Sequence, residues 1–398
     1  MRRTRALGLL CVFCLAVSSV GARGLSIRPE LSIEARGFAD EPQFPDQLAT
    51  AQLGVVLTGQ ASWRSRDRKT RFDFEPYIRL DNRDSRRTYA DIRELSFSKD
   101  FGTWDVLFGV SQVFWGVAES RNVVDVINQI DAVEDLDEGE KLGQPMLRAA
   151  RSLGPGNIEL FYLPYFRERA FAGRDGRLRF SPTVDASNIS YERDGEAWAG
   201  DWALRYTQRR GALDLGLHAF SGTNRNPFLA LSESGERLLQ TYQSLDQVGV
   251  DLQLTRGAWL LKGEWVAAES GGNSYRIWVA GFEYTLFGLG GTAADLGLIA
   301  EHLRDTRDLT KAPITVFDDD TFAGLRLTLN DSQDTELLAG LIRDHRTSAI
   351  QYSAEFQRRI GARNLLELEA RVFSGGDDTL ITAFSADDFL TARWTVFF

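Results

Sequence analysis

The chain has 398 residues, with 46 Lys and Arg against 56 Asp and Glu, and a formal net charge of −10. An acidic balance of this kind disfavours nucleic acid as a partner, because phosphate backbones reward clustered Lys and Arg. The two cysteines, Cys11 and Cys14, both fall within the first 22 residues, so a chain cleaved there has no disulfide, thiolate or cysteine-based metal chemistry.

Arg2, Arg3 and Arg5 precede an uncharged, largely apolar run from Ala6 to Val20, and Val20-Gly21-Ala22 places small residues at a secretory cleavage position. Residues 1–22 are therefore predicted to be a signal peptide. The run has 15 residues, short of the roughly 20 that a membrane-spanning helix needs. No small residue stands directly before either cysteine, which argues against a lipid anchor. Without Arg2, Arg3 and Arg5, 43 bases face 56 acids, a net charge of −13. No later apolar stretch reaches the length of a spanning helix, and no Pro-rich or Gly/Ser-rich linker divides 23–398, which reads as one domain. A closed β-barrel is the other way to satisfy every backbone amide in lipid.

Period-two alternation supports that fold. The first strand is expected near 25–37. In 52–58, Leu53, Val55 and Leu57 alternate with Gln52, Gly54 and Thr58. In 350–357, Ile350, Tyr352, Ala354 and Phe356 alternate with Gln351, Ser353, Glu355 and Gln357, and 364–373 sets Leu366, Leu368, Ala370 and Val372 against Glu367, Glu369 and Arg371. Such alternation puts one set toward lipid and the other toward a lumen, although a soluble β-sandwich alternates too.

Short breaks near 65–70, 99–102, 153–156, 209–211, 256–257, 287–292, 331–334 and 360–363 separate longer segments near 38–50, 83–88, 114–145, 168–198, 222–243, 269–273, 304–319, 345–348 and 374–386. Eight turns and nine loops give an all-β, antiparallel transmembrane barrel of 18 strands, with short periplasmic turns and longer extracellular loops. One misassigned hairpin would give 16. Trp63, Trp104, Trp202, Trp259, Trp278 and Trp394 lie near strand ends or within strands, where amphipathic rings suit the headgroup level.

Segment 114–145 is the least barrel-like. Its acids outnumber its bases eight to two between Trp115 and Pro145, and Val123, Ile127 and Ile130 have helical spacing. A connection with its own apolar content does not wave freely in water. It reads either as a short helix packed on the wall, constricting a pore, or as an external cap with a solvated acidic tip. Trp115, Glu119, Arg121, Asp125, Asn128 and Asp131 are its candidate functional residues. By alternation Asp73, Glu75, Arg79, Lys262, Glu264, Arg326, Glu355, Glu367, Glu369, Arg371 and Arg393 point inward, and rings of charge set pore selectivity. Both signs are present, which does not suit a polyanion.

Only His218, His302 and His345 are available as general bases, and none adjoins a nucleophile elbow. No metal-ligand or phosphate-loop motif appears, and the acids at 131–140 or the Asp377-Asp378 pair offer at most an adventitious calcium contact. No catalytic residue, metal or cofactor is expected. A plugged adhesin-type barrel and a lipid-acting barrel enzyme stand as alternatives to a channel.

The run ADIRELSFSKDFGTWDVLFGVSQVFWGVAESRNVVDVIN, with Trp115-Gly116 leading into Asp125-Val126-Ile127-Asn128, resembles the strand-hairpin-loop core of proteobacterial outer-membrane proteins related to alginate-export-type porins. Segments 157–166 and 212–227 also resemble later parts of that group. The resemblance implies an outer-membrane channel or transporter. The alternating end Trp394, Val396 and Phe398 resembles the C-terminal signal read by the barrel-assembly machinery. Expected partners are outer-membrane lipid, that machinery, a small neutral or amphipathic solute and, by analogy, further copies of the chain.

Overall fold

The computed structural model describes residues 24–48, 50–134, 139–313, 315, 318–375 and 382–398. The expected signal peptide, Asp135, Asp137, Glu138 and the Asp377-Asp378 pair lie outside them.

Eighteen antiparallel strands form one closed sheet. They are β1 (Leu25–Phe38), β2 (Ala51–Arg64), β3 (Thr70–Asp81), β4 (Tyr89–Asp100), β5 (Asp105–Ser111), β6 (Gln144–Leu153) and β7 (Gly156–Leu163), then β9 (Asp201–Arg210) and β10 (Leu213–Thr223). The circuit continues through β13 (Ser244–Arg256), β14 (Trp259–Ser270), β15 (Asn273–Leu286), β16 (Asp295–Asp305), β17 (Asp319–Thr328), β18 (Glu336–Asp344), β19 (Ile350–Ile360), β20 (Asn364–Ser374) and β21 (Phe389–Phe397). Each pairs with the next, and β21 pairs with β1 from Glu30–Phe397 to Phe38–Phe389, so no edge remains. Eight short turns lie at one end and nine mostly longer loops at the other, in the order that the sequence predicts.

The orientation of the alternation separates this barrel from a soluble sandwich. The outward set is apolar: Ile33 is 56% exposed and Phe108 69%, and Leu53, Leu160, Leu217, Val248, Leu325 and Leu390 are exposed with them. The inward set is polar and buried, including Glu34, Arg36, Gln52, Arg79, Arg93, Arg205, Asp251, Glu264 and Glu301. Such an exterior is stable against hydrocarbon and not against water. Trp63, Trp104, Trp259 and Trp394 are exposed near the short-turn end, and Trp202 near the other. Trp259 lies 4.6 Å from Tyr284 and 5.4 Å from Phe282, centroid to centroid, forming a cluster of amphipathic rings at the rim.

Two long connections contain structure that their irregular composition hides. β8 (Val184–Tyr191), from 164–200, pairs in parallel with β12 (Leu238–Tyr242), which pairs with β11 (Phe228–Leu231). This three-stranded sheet stands at the long-loop end. There burial, with Glu168 beside it, holds the Tyr191 hydroxyl above the ordinary tyrosine range.

Candidate functional site: an asymmetric lumen

The connection 112–143, slightly longer at its start and shorter at its end than the expected 114–145, folds into the barrel. The expected helix over Val123–Ile130 does not form: the segment runs through turns and bends, and wall carboxylates hold the loop just before it and at Val124. Glu264 Oε1 on β14 accepts from the backbone N–H groups of Val117 (2.7 Å) and Ala118 (2.9 Å), and its Oε2 accepts from Val124 (3.2 Å). Glu301 on β16 accepts from the N–H groups of Glu119 and Ser120 (both 2.8 Å) and from the Ser120 hydroxyl (2.6 Å). Charge-assisted bonds to backbone amides are strong, so these two glutamates hold the loop in an extended path. Gly116 permits the path with a φ of +131°, where a Cβ would land on the Asn122 side chain.

One side of the loop is sealed by apolar packing. Trp115, Val124, Val126 and Ile127 are buried against Phe161, Leu163, Phe220, Leu245, Val266 and Ile277 on β7–β15. The Trp115 ring lies 5.7 Å from Phe161 and 5.3 Å from His218, with the Arg205 guanidinium 4.9 Å from its centroid. Asn128, predicted to face the pore, spends its amide on the chain itself: it accepts from Val113 N–H (2.8 Å) and donates to Ser111 O and Leu142 O (both 2.9 Å). Arg225 donates to Ile127 O from Nε (3.1 Å) and Nη2 (2.9 Å).

A second contact uses ions. Arg79, fully buried, donates to Glu134 at 2.5 and 2.7 Å and to Glu34, while Arg393 donates to Glu34 (2.8 Å) and Glu134 (2.9 Å). Tyr77 donates to the same Glu134 (2.8 Å). Asp131 pairs with Arg93 and accepts from the Tyr89 hydroxyl (2.6 Å). Arg79 and Asp131, both predicted to line a pore, are therefore buried struts that fix the loop to β1, β3, β4 and β21. Glu34, which the alternation in 31–36 could have revealed, and Glu301 were not predicted.

The remaining predicted residues meet on the other side, between the loop and β17–β21. A cavity of about 390 Å³ is bordered by Glu119, Gly139 and Glu140 on the loop and by Arg326, Glu336, Glu355, Glu367, Glu369 and Arg393 on the wall. A second, of about 260 Å³, runs from Glu119 and Glu355 past Arg121, Asp125 and Lys141 to Gln351, Ser353 and Arg371. Glu119, Gly139, Leu338 and Glu355 border both, so the two cavities join at a waist. Arg326 bridges Glu119 (2.6 Å) and Glu336 (2.9 Å), and Lys262 reaches Glu119 at 3.3 Å. Arg371 pairs with Glu369 (2.7 Å) and Glu355 (3.1 Å).

Above the lumen, part of the connection 164–200 crosses toward β19–β21. Arg177 pairs with Asp387 (2.5 Å), Leu178 N–H donates to Asp387 Oδ2 (2.9 Å), and Leu178 and Phe180 pack on Ala349, Phe373 and Phe384. Gly173 N–H reaches Asp84 (3.1 Å). The three histidines do not converge: His218 faces the lumen at Trp115, while Thr321 Oγ1 on β17 lies between His302 Nδ1 on β16 (3.1 Å) and His345 Nε2 just past β18 (2.8 Å). Among the described residues no group of three or more His, Cys, Asp or Glu side chains forms a metal site.

A closed barrel with polar side chains inward and a long connection folded into its lumen has the architecture of a porin. Among solved structures the chain is similar to a BenF-like porin from Pseudomonas fluorescens Pf-5, at 10% identity over 94% of this chain and 97% of that one, TM-score 0.56. It is similar to Pseudomonas aeruginosa OpdQ at 10% identity over 95% and 99%, TM-score 0.54. It is also similar to Escherichia coli Wzi, a carbohydrate-binding outer-membrane barrel involved in group 1 capsule assembly, at 12% identity over 92% and 84%, TM-score 0.52. At these identities the likeness concerns the fold. No protein-family model and no curated protein sequence matches the chain.

Proposed function

We propose that the chain is a porin-like, non-enzymatic channel of the Gram-negative outer membrane, passing a small neutral or amphipathic solute. The observation that carries this reading is the asymmetry of the lumen. The loop is bonded and packed against most of the wall, yet it leaves two joined polar cavities along β17–β21. A plug with no transport role has no use for such a hydrated strip, and buried charge without pairing or water is costly. The lining residues Glu119, Arg121, Asp125, Arg326, Glu355, Glu367, Arg371 and Arg393 are proposed to shape passage, and Trp394, Val396 and Phe398 to present the closing strand to the assembly machinery. Kinship with alginate-export-type porins stays a proposal carried by Trp115-Gly116 and Asp125–Asn128, and the mixed lining favours a small solute over a polyanion such as alginate.

The Wzi likeness favours a second reading, a non-conducting surface barrel that binds carbohydrate, for which the segment crossing the mouth would serve as a cover. One experiment separates the two: refolded 23–398 in a planar bilayer. Discrete openings are expected for the channel, and a barrel that inserts and stays silent would select the second reading.

A further inference from the structure

The two cavities are not lined by equal amounts of charge, and exposure makes the difference larger. Around the turn-side cavity stand the carboxylates of Glu119, Glu140, Glu336, Glu355, Glu367 and Glu369, against the guanidinium groups of Arg326 and Arg393. Arg371 borders the neighbouring cavity. Arg393 is already held by Glu34 and Glu134, both set behind the lining.

The waist is the decisive place. It lies between Glu119 on the loop and Glu355 on the wall, one carboxylate on each side. Two of their cationic partners, Arg371 and Lys262, sit deeper than they do. In the Arg371–Glu355 pair the arginine side chain is 6% exposed and the glutamate 45%. In the Lys262–Glu119 pair the lysine is 8% exposed and the glutamate 21%. Glu369 likewise covers the buried Arg371, and Glu367, two residues along β20 and opposite Arg393 in the ladder, forms no ion pair among the described residues. Arg326, about as exposed as its partners, is shared between Glu119 and Glu336. A solute at the waist therefore meets the Glu119 and Glu355 carboxylates with Arg371 and Lys262 screened behind them, and one partly exposed cation, Arg326, already divided between two carboxylates. In a narrow, low-dielectric passage such an arrangement concentrates counter-ions of the opposite sign.

We infer that the passage prefers cations, so that inorganic cations and small solutes bearing an ammonium or guanidinium group pass in preference to anions. This rests on the channel reading and adds the sign of the transported charge. The test is the reversal potential of refolded 23–398 in a planar bilayer under a KCl gradient, compared with Glu355→Gln, Glu367→Gln and the double variant. The wild type is expected to favour K⁺ over Cl⁻ by about threefold or more, and the double variant to lose at least half of that preference with openings still present. Because Glu367 forms no ion pair among the described residues, Glu367→Gln keeps the test alive if removing the Glu355–Arg371 pair impairs folding. Openings that favour Cl⁻, or a K⁺ preference that neither substitution moves, would overturn the inference and leave the channel reading standing. A barrel that inserts without any openings would overturn both.

Discussion

The two halves of the lumen solve different physical problems with the same inward-facing positions. Along β5–β15 the wall presents Phe161, Leu163, Phe220, Val266 and Ile277, and the loop meets it with Trp115, Val124, Val126 and Ile127, so that contact excludes water. Along β17–β21 the inward positions are Arg326, Glu336, Glu355, Glu367, Glu369, Arg371 and Arg393, and a strip of space remains. The same loop is a packed core element on one flank and a pore lining on the other. Position on the barrel, more than residue type, decides which charges are structural: Arg79 is wholly buried under Glu34 and Glu134, while Arg326 borders the cavity.

Several substitutions break or sharpen this contrast. The largest effect is expected from Glu264→Ala with Glu301→Ala, which removes the carboxylates holding five loop amides. The loop should leave the wall and unit conductance should rise several-fold, read in a planar bilayer; an unchanged conductance would mean that apolar packing alone positions it. Arg79→Ala leaves Glu34 and Glu134 with less compensation in a buried site and should cost about 3–5 kcal/mol, measured by urea unfolding in detergent micelles. Trp115→Ala should cost about 3 kcal/mol or more by opening a cavity in the sealed half, with little change in ion selectivity. Asp320 should move the other way. It is buried, faces Asp344 across the β17–β18 ladder, and neither of its carboxylate oxygens has a hydrogen-bond partner. Asp320→Asn is expected to stabilise by about 1 kcal/mol in the same urea assay. The smallest effect is expected from Arg177→Ala, which should raise protease sensitivity at 173–183 while conductance holds.

Much of the barrel was legible because period-two alternation is written into single strands. Leu53, 54% exposed, faces outward with Gln52 buried beside it, whereas Leu57 of the same alternating set is covered, and the order of turns and loops followed from where alternation stops. Which face was which could not be read from alternation, since a sandwich shows the same pattern with apolar residues inward. The two ends of the chain supplied that expectation. The helix predicted over Val123–Ile130 did not form: the spacing of apolar residues records which side chains are buried, and Val124, Val126 and Ile127 are buried without helical backbone, while the preceding amides of 117–120 bond to Glu264 and Glu301, about 140 to 180 residues away. Asn128 and Asp131 were singled out as pore-loop residues, and both brace the loop: Asp131 is buried on Arg93 and Tyr89, and Asn128 bonds Ser111, Val113 and Leu142 while bordering the smaller polar cavity; the sequence shows that a polar residue faces inward without showing what covers it. The β8–β11–β12 sheet was missed because its strands are short and assembled from two distant connections.

The central claim, that water and solute follow the β17–β21 side, is best tested by cysteine accessibility, since 23–398 has no cysteine of its own. Gln357→Cys places a thiol on the lining of the larger polar cavity, and Val266→Cys places one in the sealed half. A charged, water-soluble thiol reagent is expected to modify the first rapidly and reduce the current, and to leave the second untouched. Equal modification of both, or faster modification at position 266, would contradict the account.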